Sequence, residues 1–311
     1  ADTPIVIDGT VYVPEGCTLT IESGAKIFFT SLKETEYYSP ISQLLVGGTL
    51  VVNGLPGDSV VFSGFRLDPS YTETPGQWQG IWFTKTSKGS VIKNALIKNG
   101  SIGLRIDSVQ QSVRKVALEN VEIRNMANFG ILAQGFGPLG GVPLLTGSNL
   151  LVHNCGSSPL FMRGGGWYEF VNCTFANYSF NFRRTSPCVA LSNYNPANNA
   201  TFDTRLAFAN TIIWGSEEEE WGTDLIPGAT LEIGFQNCIL KSANMPPNAQ
   251  NCQISQSTDY PKFERPFERK YNLLEGSPAI NAAEQSIAPI TDLRGKPRNG
   301  IPDIGAIEFQ P

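Results

Sequence analysis

Arginine residues recur in several short segments of alternating polarity, and guanidinium groups are well suited to hold anions. Arg105, Arg163 and Arg183 occupy positions that would point outward from such segments. Stacked on one face, they would form a column that pairs bidentately with the carboxylate or sulfate groups of an acidic chain. The alternative is that they are solvated surface arginines paired with acids such as Asp107 and Glu169.

The run from Trp214 to Trp221 is the most unusual segment, because two tryptophans enclose the consecutive glutamates Glu217 to Glu220. The indole rings could stack on sugar rings, and the carboxylates together with Asp224 could bind a cation. The alternative is a solvated acidic loop whose tryptophans pack on the body of the protein. The residue types alone leave both interpretations open.

These residues belong to a chain with an internal repeat. Its segments begin with asparagine, continue with apolar residues at alternate positions and mostly end with asparagine again. The clear copies are Asn94–Asn99, Asn120–Asn125, Asn149–Asn154 and Asn172–Asn177, and weaker copies begin at Asn210 and Asn237. Alternation of period two predicts a short strand with one buried face. The predicted inward residues are Ala95, Ile97, Val121, Ile123, Leu150, Val152, Cys173 and Phe175.

A second short strand follows most copies, so each repeat turns a corner marked by Asn or Gly. Both residues tolerate the left-handed backbone conformation of a tight corner. Asparagines that recur at one corner can also stack, so that each side-chain amide hydrogen-bonds to the neighbouring coils. The repeat therefore predicts an all-β solenoid of parallel coils.

Catalytic and metal-binding sets are sparse. Calcium requires several oxygen ligands, usually including clustered acids, yet the outward positions of the Asn-led strands supply one carboxylate, Glu122. The only histidine is His153 and no CxxC pair occurs, which disfavours zinc. We therefore expect no cofactor, with calcium as the alternative. Several outward residues, such as Leu151 and Ile212, are apolar, which predicts that a loop or a partner covers that face.

Composition supports an all-β chain and restricts its partners. The chain has 311 residues, of which 41% are hydrophobic and 16% charged, against about 25% charged in typical soluble domains. A net charge of −5 argues against nucleic acid as the main partner. No apolar run approaches the ~20 residues of a membrane-spanning helix. No signal peptide is evident, so export is an inference.

We expect a single domain over residues 1–311. Residues 1–30 would form the N-terminal cap and first coil, residues 31–270 the coils, and residues 271–311 a closing segment. Polar inserts interrupt the coils at 31–40, 66–77 and 185–204. Insertions on a solenoid map to loops, which often carry its binding face.

Six cysteines occur, and four of them directly follow an asparagine: Cys155, Cys173, Cys238 and Cys252. This repeated position favours small buried thiols that pack as hydrophobic side chains. A disulfide framework is the alternative in an exported protein.

The run Tyr12–Phe28 resembles the opening coil of many exported bacterial right-handed parallel β-helix proteins of the pectate-lyase-like superfamily. The likeness continues in Leu44–Leu50, Val60–Phe62 and Trp78–Phe83, and in the closing segments Gly276–Asn281, Thr291–Arg298 and Pro302–Ala306. Many such proteins look like cell-envelope proteins of gut Bacteroidetes. The resemblance implies a single-stranded right-handed parallel β-helix with capped ends, secreted or displayed at the cell surface or outer membrane.

The resemblance is specific for fold and weak for function. The proteins of this superfamily include polysaccharide lyases, glycoside hydrolases and adhesins. The resemblance also implies that Trp78 and Trp82 belong to the sequence signature of the fold. The Asn-Thr-Asp, Asp-Asp and Gly-His-Gly motifs of β-helix polygalacturonases do not occur in this chain. Asp292, Arg294 and Asp303 in the closing segment are expected to form turn and cap contacts.

We therefore expect a non-catalytic, secreted or envelope-associated protein that binds glycan or another surface partner as a monomer. The candidate ligand-binding residues are Arg105, Arg163, Arg183, Trp214 and Trp221. One alternative is a polysaccharide lyase acting on an acidic glycan, and another is a structural or adhesive spacer.

Overall fold

A computed structural model of the protein describes residues 3–30, 42–107, 113–178, 184–258, 260–298 and 300–310. Within them the chain forms short β-strands that stack in parallel as successive coils of a three-faced solenoid. The predicted all-β parallel β-helix class is thereby confirmed. The insert expected at 31–40 lies outside the described residues.

Each full coil contributes one strand to each face. Strands confined to the first face are β3 (Thr18–Glu22), β6 (Thr49–Asn53), β13 (Leu145–Ser148), β16 (Gly166–Val171), β19 (Thr204–Ala209), β22 (Leu231–Gln236) and β24 (Ala249–Gln250). Strands confined to the second face are β1 (Ile5–Ile7), β4 (Lys26–Phe29), β7 (Val60–Gly64), β14 (Leu151–Cys155), β17 (Thr174–Asn177), β20 (Ile212–Gly215), β23 (Ile239–Lys241) and β25 (Gln253–Ser255).

The first two faces are joined, because β9 (Ser90–Lys98) and β11 (Val116–Met126) run through the corner between them and unite them in one 17-stranded sheet. The third face is a separate 8-stranded sheet. Its strands are β2 (Thr10–Val13), β5 (Gln43–Val46), β8 (Ile81–Phe83), β10 (Leu104–Asp107), β12 (Ile131–Gln134), β15 (Leu160–Arg163), β18 (Val189–Ser192) and β21 (Trp221–Asp224).

A narrow apolar core fills the space between the three faces. All the inward residues predicted from the Asn-led segments are buried in it. The corner explains how two faces share this core. In β9, Ile92 and Ala95 both point inward although three positions separate them, because Asn94 between them has a φ of 46°. The left-handed residue shifts the alternation by one position, which a continuous strand could not do.

The leading asparagines lie in file along the long axis, as predicted. Strand register aligns Asn94, Asn120 and Asn149, and all three have positive φ. The Asn120 Nδ2 donates to Asn94 Oδ1 at 3.2 Å, and the Asn149 Nδ2 donates to Asn120 Oδ1 at 2.8 Å. Further along, the Asn210 Nδ2 donates to Asn172 Oδ1 at 3.0 Å. These amides satisfy polar groups that the corner would otherwise leave unpaired.

A second amide ladder occupies the next corner, between the second and third faces. The Asn125 Nδ2 donates to Asn99 Oδ1 at 3.3 Å, and the Asn154 Nδ2 donates to Asn125 Oδ1. On the next coil, Asn177 donates to Cys155 O at 2.8 Å and accepts from the Cys155 amide at 2.9 Å. The second asparagine therefore also stacks in three of the clear repeats, whereas Asn177 bonds to the backbone of the neighbouring coil.

The chain itself covers the outer side of the second face. Residues 260–310 include an antiparallel hairpin of β26 (Phe263–Arg265) and β27 (Lys270–Leu273), and the 3-10 helices Pro266–Glu268 and Gln285–Ile287. Tyr271, Ala279 and Ile304 from this segment pack on outward apolar residues of the face. The outward apolar residues are Leu151, Ala176, Ile212, Trp214 and Ile239. The predicted cover of this face is thus a segment of the same chain.

The closing segment also completes the first amide ladder where it is interrupted. Between Asn149 and Asn172 the rung is replaced by Arg298, whose Nη2 donates to Asn149 Oδ1 at 2.9 Å. The Asn172 Nδ2 donates instead to Asp303 O at 3.0 Å. Asp303 in turn accepts from the Asn281 amide at 2.8 Å, which is one of the turn contacts expected of this residue.

The described inserts are anchored rather than free loops. Glu73 of the 66–77 insert pairs with Lys98 at 2.8 Å, Arg124 at 3.2 Å and Arg269 at 3.5 Å. Burial alone would raise the pKa of Glu73, but these three cations outweigh it and lower the pKa. These ion pairs therefore hold the insert across the corner between the second and third faces.

The thiols are free, and most are buried. Cys155, Cys173, Cys188 and Cys238 lie within the structure, Cys17 is exposed and Cys252 is partly exposed. Burial raises the pKa of Cys155 and Cys173 to about 12, so both stay protonated at neutral pH. These two behave as the packing residues predicted from their repeated position.

Replacement of Asn120 separates the two roles of a ladder residue. Asn120→Gly keeps access to positive φ but loses two amide hydrogen bonds, which we expect to cost about 1–2 kcal/mol of unfolding free energy. Asn120→Ala loses the same two bonds and keeps a Cβ in the left-handed region without the short polar side chain that lets asparagine adopt it, which we expect to cost about 1–2 kcal/mol more than the glycine variant. Urea unfolding followed by circular dichroism measures both. An alanine variant as stable as the parent would show that the amide ladder contributes nothing.

Candidate functional site

Two files of outward side chains run along the third face, where a file is a set of residues at matching positions on successive coils. Register between the strands of this face fixes both files. The first file is Trp82, Arg105, Leu132, Phe161, Ala190 and Gly222. The second file is Asp107, Gln134, Arg163, Ser192 and Asp224. Neighbouring coils are about 4.8 Å apart, so the files form a continuous strip.

The upstream half of this strip is closed by its own side chains. The Arg105 guanidinium lies 4.0 Å above the Trp82 ring, and its Nε is 3.2 Å from Asp107 Oδ1. The Trp82 Nε1 donates to the same carboxylate at 2.8 Å, and the Gln134 Nε2 donates to it at 2.7 Å. Arg105 therefore pairs with Asp107, as the surface-arginine interpretation expected.

The downstream half opens into a groove of about 450 Å³. Its floor falls along the first file, because the side chain shrinks from Phe161 to Ala190 and then to Gly222. The insert predicted at 185–204 is shorter than expected, because Val189–Ser192 within it forms β18, and the inserted loop follows that strand. Pro187, just before β18, and Pro196, in the loop after it, form part of the wall. The groove is thus made by a gradient of side-chain size along one file and by the insert beside it.

Polar groups of opposite charge line the groove along the second file. Arg163 lies two coils from Asp224, with Ser192 between them. Tyr194 of the insert donates its hydroxyl to Asp224 Oδ2 at 2.6 Å, which raises the pKa of the tyrosine. Arg163 has no salt bridge within the described part of the chain, and its guanidinium lies 5.9 Å from the centroid of the Phe136 ring. Its guanidinium is therefore available to an anion in the groove.

The insert that carries Tyr194 is fixed to the solenoid on both sides. The buried amide of Asn193 donates to Ile226 O at 2.8 Å and accepts from the Ile226 amide at 2.9 Å. Beneath it, Gly165 has a φ of 83°, and a Cβ there would lie 2.6 Å from Asp203 O. The Gly164–Gly166 turn therefore permits close packing of the insert against β15 and β16.

The predicted arginine column does not form as expected. Arg105 belongs to the first file and Arg163 to the second, so they do not stack on one another. The reason is that they occupy different positions within their strands, the second residue of β10 and the last residue of β15. Arg183 lies outside the described residues.

The predicted tryptophan pair is also not a ligand platform. Trp214 is fully buried, with its ring 5.0 Å from Tyr260 beneath the closing segment. Trp221 points into the core, where its ring lies 5.2 Å from Phe235 and 6.2 Å from Phe208. Both tryptophans therefore pack on the body of the protein, which was the alternative interpretation.

The acidic run between the tryptophans contains a buried ion pair. Both Glu220 oxygens accept from Arg184, at 2.6 Å and 2.8 Å, and both side chains are fully buried. The Glu220 carboxylate also accepts from the backbone amides of Cys188 and Glu217, at 2.8 Å and 2.9 Å. Among the described residues no group of three or more His, Cys, Asp and Glu side chains could hold a metal ion.

A second cleft, of about 440 Å³, lies between the second face and the closing segment. Glu122 lines it and is 3.1 Å from Nε2 of His153, which is itself fully buried. Burial alone would raise the pKa of Glu122, but the hydrogen bond from His153 and the charge of Arg124 lower it to about 2. Burial lowers the pKa of His153. Arg124 supplies the counter-charge to Glu122 at 3.2 Å, and the His153 ring packs 4.7 Å from the Tyr271 ring of the closing segment.

Sequence reasoning missed one residue of the strip, Trp82, and one residue of the groove, Tyr194. Trp82 was assigned to the fold signature alone, although the alternation Ile81–Trp82–Phe83 places its ring outside when its neighbours are inside. Tyr194 lies in an insert without periodicity, so no local pattern could have identified it.

A scan against protein-family models and a search of curated proteins found no match to this chain. No helix in the described residues is long and apolar enough to cross a membrane.

We expect Glu220→Gln to destabilise the fold strongly, because it removes the charge of the carboxylate that accepts two hydrogen bonds from the buried Arg184 guanidinium. Breaking a buried pair from one side typically costs about 3–5 kcal/mol of unfolding free energy. Glu232→Gln is the matched control, since its pair with Arg205 at 2.6 Å is exposed. Chemical denaturation measures both variants. Equal, small losses would show that the buried pair contributes no more than a surface pair.

Stability should also fall as the pH drops from about 7 towards 5, because an unperturbed histidine titrates near 6.5. Since burial lowers the pKa of His153 in the folded state, the unfolded chain binds a proton first and gains free energy. His153→Gln removes the only histidine of the chain and can still donate to Glu122. Unfolding curves across this range should lose that pH dependence in the variant. If the unfolding free energy of the variant depended on pH as steeply as that of the parent, His153 would not be the source of this dependence.

Proposed function

We propose that the protein binds an acidic glycan in the groove of the third face, without catalytic turnover. The observation that carries this proposal is the guanidinium of Arg163, which has no salt bridge among the described residues and lies beside aromatic and hydroxyl groups in an open groove. A carboxylate or sulfate on a sugar would pair with it bidentately.

The other lining residues suit a sugar. Phe161 and Tyr194 present aromatic surface on which the apolar face of a sugar ring can be buried. Ser192 and Asp224 offer hydrogen-bonding oxygens for sugar hydroxyls. Upstream of the groove, Arg105 and Gln134 already bond to Asp107, so the open groove is the part of the strip available to a sugar.

Binding is favoured over hydrolysis because the described lining of the groove contributes one carboxylate, Asp224. Glycoside hydrolases typically need two, one as acid and one as base or nucleophile. A lyase acting on an acidic glycan is the second candidate. Arg163, which lies beside Tyr194, would be its base. A spacer without ligand is the third.

We further propose that the chain belongs with the exported, pectate-lyase-like β-helix proteins and is secreted or displayed on a bacterial cell envelope, as in gut Bacteroidetes. Support comes from the opening coil at Tyr12–Phe28 and from the closing segment at Gly276–Asn281. The low charged fraction of 16% is compatible with a surface protein.

Titration calorimetry with a galacturonic acid oligomer tests the groove. Arg163→Ala should lower the affinity about tenfold or more, because a charge-assisted hydrogen bond contributes about 1.5–3 kcal/mol. Phe161→Ala should also weaken binding. Arg205→Ala is the matched control, because Arg205 is an exposed arginine that lies 4.6 Å above a tryptophan on the first face. It should bind like the parent, and a neutral galactose oligomer should bind more weakly.

Three outcomes would overturn the proposal. If Arg163→Ala and Arg205→Ala lower the affinity equally, the interaction is not localised in the groove. If the parent protein steadily generates the ultraviolet absorbance of an unsaturated uronic acid, and Arg163→Ala abolishes it, the protein is a lyase. Absence of binding to any acidic oligomer would favour the spacer.

A further inference from the structure

Two cysteines are stacked at the C-terminal end of the solenoid. β23 and β25 pair with Ile239 opposite Gln253, which places Cys238 directly opposite Cys252 on the next coil. Parallel neighbours in a sheet are about 4.8 Å apart. A disulfide requires Cα atoms roughly 4.4–6.8 Å apart. The register therefore brings this pair within the range of a bond.

The Cys252 sulfur is already in contact with the backbone of Cys238. The backbone amide of Cys238 donates to Cys252 Sγ at 3.4 Å. Cys238 is fully buried, whereas Cys252 is partly exposed on the last coil. Cys252 can therefore react with a solute, whereas Cys238 is shielded from solvent.

Their acidities differ in the direction that suits a nucleophile and its resolving partner. The hydrogen bond from Cys238 lowers the pKa of Cys252 to about 7, despite partial burial. Burial raises the pKa of Cys238 well above its ordinary value. At neutral pH a large fraction of Cys252 is thiolate, which is the reactive form of cysteine.

We propose that Cys238 and Cys252 form a redox-sensitive pair that closes to a disulfide by exchange with a low-molecular-weight disulfide. The Cys252 thiolate attacks one sulfur of that disulfide, forms a mixed disulfide and releases the other half as a thiolate. The Cys238 thiol then loses its proton and attacks the Cys252 sulfur, releasing the second half. Two protein thiols are oxidised, and one external disulfide is reduced to two thiols that take up both protons.

Closure would join the last coil covalently to the coil before it. The loop between the two cysteines includes β24, so the bond would fasten both terminal strands of the solenoid. Terminal coils have a neighbour on one side only and are the first to separate in a repeat protein. The pair would therefore let an oxidising compartment lock this end of the solenoid.

The test uses the full chain with Cys17→Ser, because Cys17 is exposed and would react independently. The reduced protein is incubated with oxidised glutathione at neutral pH, alkylated in denaturant and mapped by peptide mass spectrometry. We expect a Cys238–Cys252 disulfide, loss of two free thiols, and Cys155, Cys173 and Cys188 still reduced. A higher unfolding temperature should accompany the bond.

Two variants in this background identify the order of steps, and circular dichroism checks that each is folded. Cys238→Ser should stop at the mixed disulfide, so that glutathione stays on Cys252. Cys252→Ser should not react. If glutathione also remains on Cys252 when Cys238 is present, or if the parent does not react, the proposal is wrong.

Discussion

The whole architecture depends on a side-chain amide that occupies a left-handed backbone corner and bonds to the same amide one coil away. Asn94, Asn120 and Asn149 combine both properties, since each has positive φ and each joins the ladder. The corner shifts the alternation so that two faces share one core. A slip by one residue would turn every apolar side chain outward. The ladder therefore fixes the register on which the inward core and the outward files both rely.

Fixed register turns a repeated backbone into individual surfaces. On the third face, matching positions on successive coils hold side chains of very different size, and the sequence Phe161, Ala190, Gly222 produces a groove where a uniform file would be flat. On the second face, the outward residues Leu151 and Ile212 are apolar and receive the closing segment. The same backbone repeat thus presents one face that the closing segment covers and another face that is open to a ligand.

The sequence was informative wherever structure follows from local periodicity. It predicted the file of leading asparagines, the inward residues and the fold class. It did not predict that Arg105 and Arg163 fall in different files, because loop lengths between coils decide which strand positions align. Nor did it reveal that Trp214 is covered, since that contact joins residues far apart in the chain. Tyr194 lies in an insert whose position depends on the Asn193 contacts, which have no periodic signal.

The closing segment has a mechanical consequence for the molecule. Repeat solenoids hold together through neighbouring units, so they can come apart one unit at a time from an end. Here Thr291, Glu284 and Ala282 accept from the ladder amides of Asn149, Asn210 and Asn237. The closing segment thus spans several coils along the long axis. Those coils cannot separate one at a time until the segment detaches, so this part of the solenoid should unfold in a single cooperative transition.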